Sequence, residues 1–142
     1  MLSITAGAVG ATSETVASTT LAGGAAITLT PTATQPVTLN GGTLTRNNNA
    51  TIFVQTNGAG LTLGGVPGAA GNATLTYSNL SAANNVNGVL PFAFANTGTG
   101  TTQASSLVRY DATNGIVPLN LATDYTLSTI SHPYIQIGRA HV

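Results

Sequence analysis

Three triplets, Thr28-Leu29-Thr30, Thr43-Leu44-Thr45 and Thr74-Leu75-Thr76, each set one aliphatic residue between two hydroxyl residues. In an extended chain successive side chains point to opposite faces, so each triplet offers an apolar face and a Thr face. Similar runs recur along the chain. They are bounded by Gly, Asn or Pro turn signals such as Asn40-Gly41-Gly42, Asn57-Gly58 and Asn114-Gly115. The pattern predicts strands over residues 26–30, 37–45, 50–55, 60–63, 73–78, 90–95, 106–110, 116–121 and 125–130. No stretch shows a capped 3.6-residue apolar period. The chain is expected to be all-β.

Charge is the scarce commodity in these 142 residues. Only Glu14, Arg46, Arg109, Asp111, Asp124 and Arg139 carry it, and there is no lysine or cysteine. Ordinary globular domains are about 25% charged; this chain is 4%. The surface must be solvated by hydroxyls and amides, and 25 Thr and 13 Asn supply them. Leu, Ile, Val and Phe number 34 and the net charge is zero, so a modest core is feasible and the high-charge signature of disorder is missing. Three scattered arginines cannot neutralise a run of phosphates, so no nucleic acid is expected as a partner. A polybasic membrane-surface segment is missing for the same reason. No apolar run approaches a spanning helix, and residues 1–10 lack the basic region of a secretory signal. The lack of cysteine removes disulfides, thiolate catalysis and Cys-based zinc sites.

Thr20-Leu21-Ala22-Gly23-Gly24 is echoed by Thr38-Leu39-Asn40-Gly41-Gly42 and by Thr62-Leu63-Gly64-Gly65. Spacings near 20 residues suggest the coils of a β-solenoid, in which each coil stacks on the next and aliphatic side chains form an internal ladder. Asn at a corner can then bond to an adjacent coil. An uncapped piece of such a stack exposes strand edges at both ends, so concentration-dependent self-association is expected.

Three further stretches carry a resemblance. They are Arg46-Asn47-Asn48-Asn49-Ala50-Thr51-Ile52, Asn87-Gly88-Val89-Leu90-Pro91-Phe92-Ala93 and Tyr110-Asp111-Ala112-Thr113-Asn114-Gly115-Ile116-Val117-Pro118-Leu119. In order and spacing they resemble the non-repeat blocks of autotransporter-associated β-strand repeat proteins of Gram-negative-type bacteria, over roughly residues 37–130. The resemblance implies an exported right-handed parallel β-helix, a passenger or stalk segment that is secreted or displayed at the cell surface. It implies no catalytic residue, no cofactor and no metal. Partners would be a surface glycan or a host surface reached through a longer parent. Residues 1–36 then read as partial N-terminal coils and 37–136 as the passenger segment. Residues 137–142, Ile137-Gly138-Arg139-Ala140-His141-Val142, coincide with the translation of a short-read sequencing adapter and read as a non-native tail. Two other classes stay open: a carbohydrate-active or carbohydrate-binding β-helix domain, and a phage tail-fibre segment.

Few residues are candidates for chemistry. Arg109 and Asp111 lie two apart on an expected strand, so both project to one face. They suit a surface ion pair, or contact with a sugar or anion. Asp111 and Asp124 are the only feasible carboxylate pair for glycoside hydrolysis; Glu14 is isolated. His132 lacks the partners of a triad or metal site. The sequons at Asn49, Asn72 and Asn79 match what Asn and Ser/Thr abundance produces by chance. The Thr-Leu-Thr triplets start at 28, 43 and 74, steps too unequal for a regular outward Thr array.

Overall fold

The computed structural model describes residues 1–57, 60–80, 89–97, 104–120 and 124. Ten strands are present: β1 (Leu2–Thr5), β2 (Thr12–Thr15), β3 (Ser18–Thr30), β4 (Val37–Asn40), β5 (Thr43–Thr56), β6 (Thr62–Leu63), β7 (Asn72–Thr76), β8 (Val89–Thr97), β9 (Ala104–Asp111) and β10 (Gly115–Pro118). No helix occurs among the described residues, and the chain is all-β. The expected strand over 125–130, His132 and the 137–142 tail lie outside the described residues.

The strands form one sheet path, β1-β3-β5-β8-β9-β10-β7-β4-β2, with β6 pairing β7 off the path. The path folds back on itself, so its two ends are the first two strands of the chain. Pairing in the first half is parallel at a constant offset. Leu2 pairs Ile27, Thr12 pairs Val37 and Ser18 pairs Thr43, each 25 residues on. The spacing then stretches: Val37 pairs Ala73, and Ile52 pairs Ala93.

This ladder corrects the repeat length read from the sequence. Thr20 pairs Thr45, not Thr38, so the Thr-Leu-x-Gly-Gly echo marks similar corners and not equivalent coil positions. The true repeat is a match of residue class. Leu2-Ser3-Ile4-Thr5 stacks on Ile27-Thr28-Leu29-Thr30, and Val37-Thr38-Leu39-Asn40 stacks on Ala73-Thr74-Leu75-Thr76. Stacked side chains build the core: Leu29, Val37, Leu39, Ile52, Val54 and Leu75 are buried. Burying one such side chain contributes about 1.5–3 kcal/mol.

Corners are made by residues that tolerate unusual backbone. The run expected over 37–45 breaks at Gly41-Gly42. A Cβ on Gly41 would enter the Tyr77 ring, and one on Gly42, at φ 63°, would meet the Ala17 carbonyl. β5 turns its corner at Asn48 and Asn49, both at positive φ, instead of ending before residue 50. Asn79 clips one coil to another: its Oδ1 accepts from Leu44 N at 2.8 Å and its Nδ2 donates to Leu44 O at 2.9 Å. Gln55 Nε2 donates to Thr28 Oγ1 at 2.8 Å, directly across the β3–β5 pairing.

The C-terminal strands depart from parallel stacking. β9 pairs antiparallel with both β8 and β10, and β10 meets β7 at Gly115 and Leu75. β9 thereby joins the two arms of the sheet and occupies one end of the stack. The expectation of open edges at both ends is corrected to this extent: within the sheet path, only β1 and β2 lack a second neighbour.

Candidate functional site

The three sequence blocks meet around β9. Arg46 stacks over the Phe92 ring at 4.9 Å, joining the first block to the second. Tyr110 Oη accepts from Tyr77 N at 3.0 Å and donates to Tyr77 O at 2.8 Å, tying the third block to the strand beside it. The Tyr110-to-Ile116 motif is a hairpin. Asp111 Oδ1 accepts from the amides of Thr113 and Asn114 at 2.9 and 2.8 Å, which shapes the turn. Gly115 closes it at φ 73°, where a Cβ would collide with the Leu75 carbonyl.

Arg109 and Asp111 project from β9 to one face, as their spacing requires. Arg109 Nη1 lies 3.5 Å from Asp111 Oδ2. The chain beyond β10 then brings Asp124 alongside, with Oδ2 3.8 Å from Arg109 Nε. The same Oδ2 accepts from Asn120 N at 2.8 Å, and Asp124 N donates to Asn120 O at 2.8 Å. One guanidinium thus sits between two carboxylates. Sequence spacing gives the first pairing; the second depends on the turn after Pro118 and has no local signal.

A cleft of about 400 Å³ opens beside this cluster, lined by Arg109, Asp124, Asn120, Thr62 and Gly64 with Val117 and Leu119 on its apolar side. The Asn114 and Thr113 amides, and then the Arg109 guanidinium, hold the Asp111 carboxyl below its ordinary value, against a smaller opposing effect of burial. An ionised Asp111 accepts hydrogen bonds and has no proton to donate as a general acid. The cluster is thus built to present hydrogen-bond donors and acceptors in balanced charge.

Glu14 lies apart from this cluster. It lines a second cavity of about 440 Å³ between β1 and β2, with Leu2, Ile4, Val16 and Leu39.

Compared with protein-family models, curated proteins and solved structures, the chain matches none of them.

Proposed function

We propose that the chain is a right-handed parallel β-helix segment, closed at one end by antiparallel hairpins, that serves as a structural passenger or stalk of an exported bacterial surface protein. The observation that carries this reading is the 25-residue parallel offset, held through three successive pairings. A stack of that kind gains its stability from internal aliphatic columns and backbone ladders, and it tolerates a surface with few charges. The structural use of all three sequence blocks supports the same reading: Arg46–Phe92, Tyr110–Tyr77 and the Asp111 turn are all packing or turn devices. To test it, the chain is inserted between an export signal and an outer-membrane translocator barrel. The passenger reading expects surface display of a folded, protease-resistant segment; retention in the periplasm in an unfolded form would count against it.

The Arg109 cleft favours one second reading, a weak carbohydrate-binding surface. Paired acceptors and a planar donor beside an apolar wall suit vicinal hydroxyls. Glycan-array binding that Arg109→Ala abolishes supports this reading, and an array without signal removes it.

A further inference from the structure

The open edge has a defined chemistry. Ala6 N donates to Thr30 O, Thr12 N to Pro36 O, and Val16 N to Asn40 O, at 2.8, 3.1 and 2.9 Å. Along a strand the N–H groups alternate in direction. Residues 2, 4 and 6 therefore face β3, and 12, 14 and 16 face β4. The N–H groups of Ser3, Thr5, Ser13 and Thr15 point off the edge, and all four residues are exposed.

The apolar columns are unfinished there too. In the column Leu2–Ile27–Val54 exposure falls from 44% through 5% to 0%. On the facing arm, Glu14 stands over Leu39 and Leu75, at an inward position that is otherwise aliphatic. Glu14 is the only charged side chain on β1 or β2. Arg46 stacks on Phe92, and Arg109, Asp111 and Asp124 cluster at β9.

We propose that this edge docks a second copy of the chain, head to head across a two-fold axis, and that Glu14 limits the affinity. Two rows of unpaired backbone groups are matched by strands and by little else. The near absence of charge on the edge selects neither an acidic nor a basic partner, whereas a second copy presents the same two rows and the same unfinished columns. β9 has a strand on each side, so its end gives no free ladder for head-to-tail stacking. A two-fold axis across the stack reverses strand direction, so the new pairings are antiparallel, and the assembly closes at two. It also carries two Glu14 carboxylates into one mouth. An inward charge on an edge strand is a known restraint on edge pairing, and here it opposes the dimer by like-charge repulsion and desolvation.

Sedimentation velocity on the 142-residue chain over a concentration series tests this. A monomer–dimer equilibrium without larger species is expected. Glu14→Leu should tighten it on the order of tenfold or more by removing the juxtaposed charges. Ser3→Pro with Ser13→Pro removes two off-edge donors without touching the β3 or β4 ladders, and should weaken it by a similar factor. Circular dichroism checks that the variants stay folded. If the proline variant unfolds, Glu14→Leu alone decides. Open-ended polymers, or a monomer for both the native chain and Glu14→Leu at the highest concentration, would overturn the proposal.

Discussion

The Tyr110 hydroxyl closes a two-point bridge on the backbone of Tyr77, accepting from its N–H at 3.0 Å and donating to its carbonyl at 2.8 Å. Both residues are buried, at 6% and 2% exposure. The phenol therefore continues the β7 ladder where the backbone partner strand is missing. Tyr110→Phe keeps the ring and strips two buried peptide groups of this partner. A loss of about 1–3 kcal/mol is expected in urea or thermal unfolding. A change within experimental error would show that those peptide groups find other partners.

Glycines with the same backbone sign should differ sharply in tolerance. Gly115 sits at φ 73° with the Leu75 carbonyl where a Cβ would go, whereas Gly10 sits at φ 83° with nothing within 4 Å. Gly10→Ala carries only the left-handed backbone penalty, about 1–2 kcal/mol. Gly115→Ala adds a collision between β10 and β7 and should cost clearly more, enough to shift the melting temperature by several degrees beyond Gly10→Ala. Equal melting shifts would mean that the β7–β10 contact is not a rigid one.

Burial pushes the Tyr77 hydroxyl up to about 12, with the Thr19 hydroxyl partly offsetting it and Tyr110 adding to it. The folded value lies above that of a free tyrosine, so the unfolded chain releases this proton first. The associated stability is fully present below about pH 10 and is lost between pH 10 and 12, of order 2–3 kcal/mol in total. Denaturant midpoints measured from pH 8 to 12 should fall across that window. Tyr77→Phe keeps the ring against Gly41 and should flatten the fall.

The charged cluster should matter less than its position suggests. Arg109 and Asp111 are 37% and 32% exposed at the side chain, so Arg109→Ala should cost at most about 1 kcal/mol. Asp111→Ala removes the acceptor for two turn amides and should cost about 1 kcal/mol or more, whereas Asp111→Asn keeps an acceptor oxygen and should cost less. The Asp111 carboxyl is held low, so its contribution is present above the ordinary aspartate value and is lost as pH falls through the folded one. Acid unfolding of Asp111→Asn should lack that component. An Arg109→Ala loss above that of Asp111→Ala would make the ion pair, and not the turn, the dominant element.

Strand identity was legible wherever alternation and turn residues coincide. The β4, β7 and β9 segments fall within or close to the expected runs, because inward Leu or Val between outward Thr or Ser is decided by two-residue periodicity alone. β1 and β2 gave no such signal. Leu2-Ser3-Ile4-Thr5 is short, and Thr12-Ser13-Glu14-Thr15 has no aliphatic residue, so each becomes a strand only through pairing with β3 or β4. The Arg109–Asp111 pair follows from spacing within one strand.

Partnership across the chain was decided only in three dimensions. Which coil lies on which depends on the length of chain between corners, and corners such as Gly41-Gly42 and Asn48-Asn49 look alike whether the next coil is 25 or 36 residues away. The change from parallel to antiparallel pairing at β9, the arrival of Asp124 beside Arg109, and the inward seat of Glu14 over Leu39 all rest on that register. Local sequence determines which face of a strand is apolar, because that is a property of neighbouring residues. The ladder partner is chosen by loop closure and core packing summed over the whole stack, and no single segment carries that information.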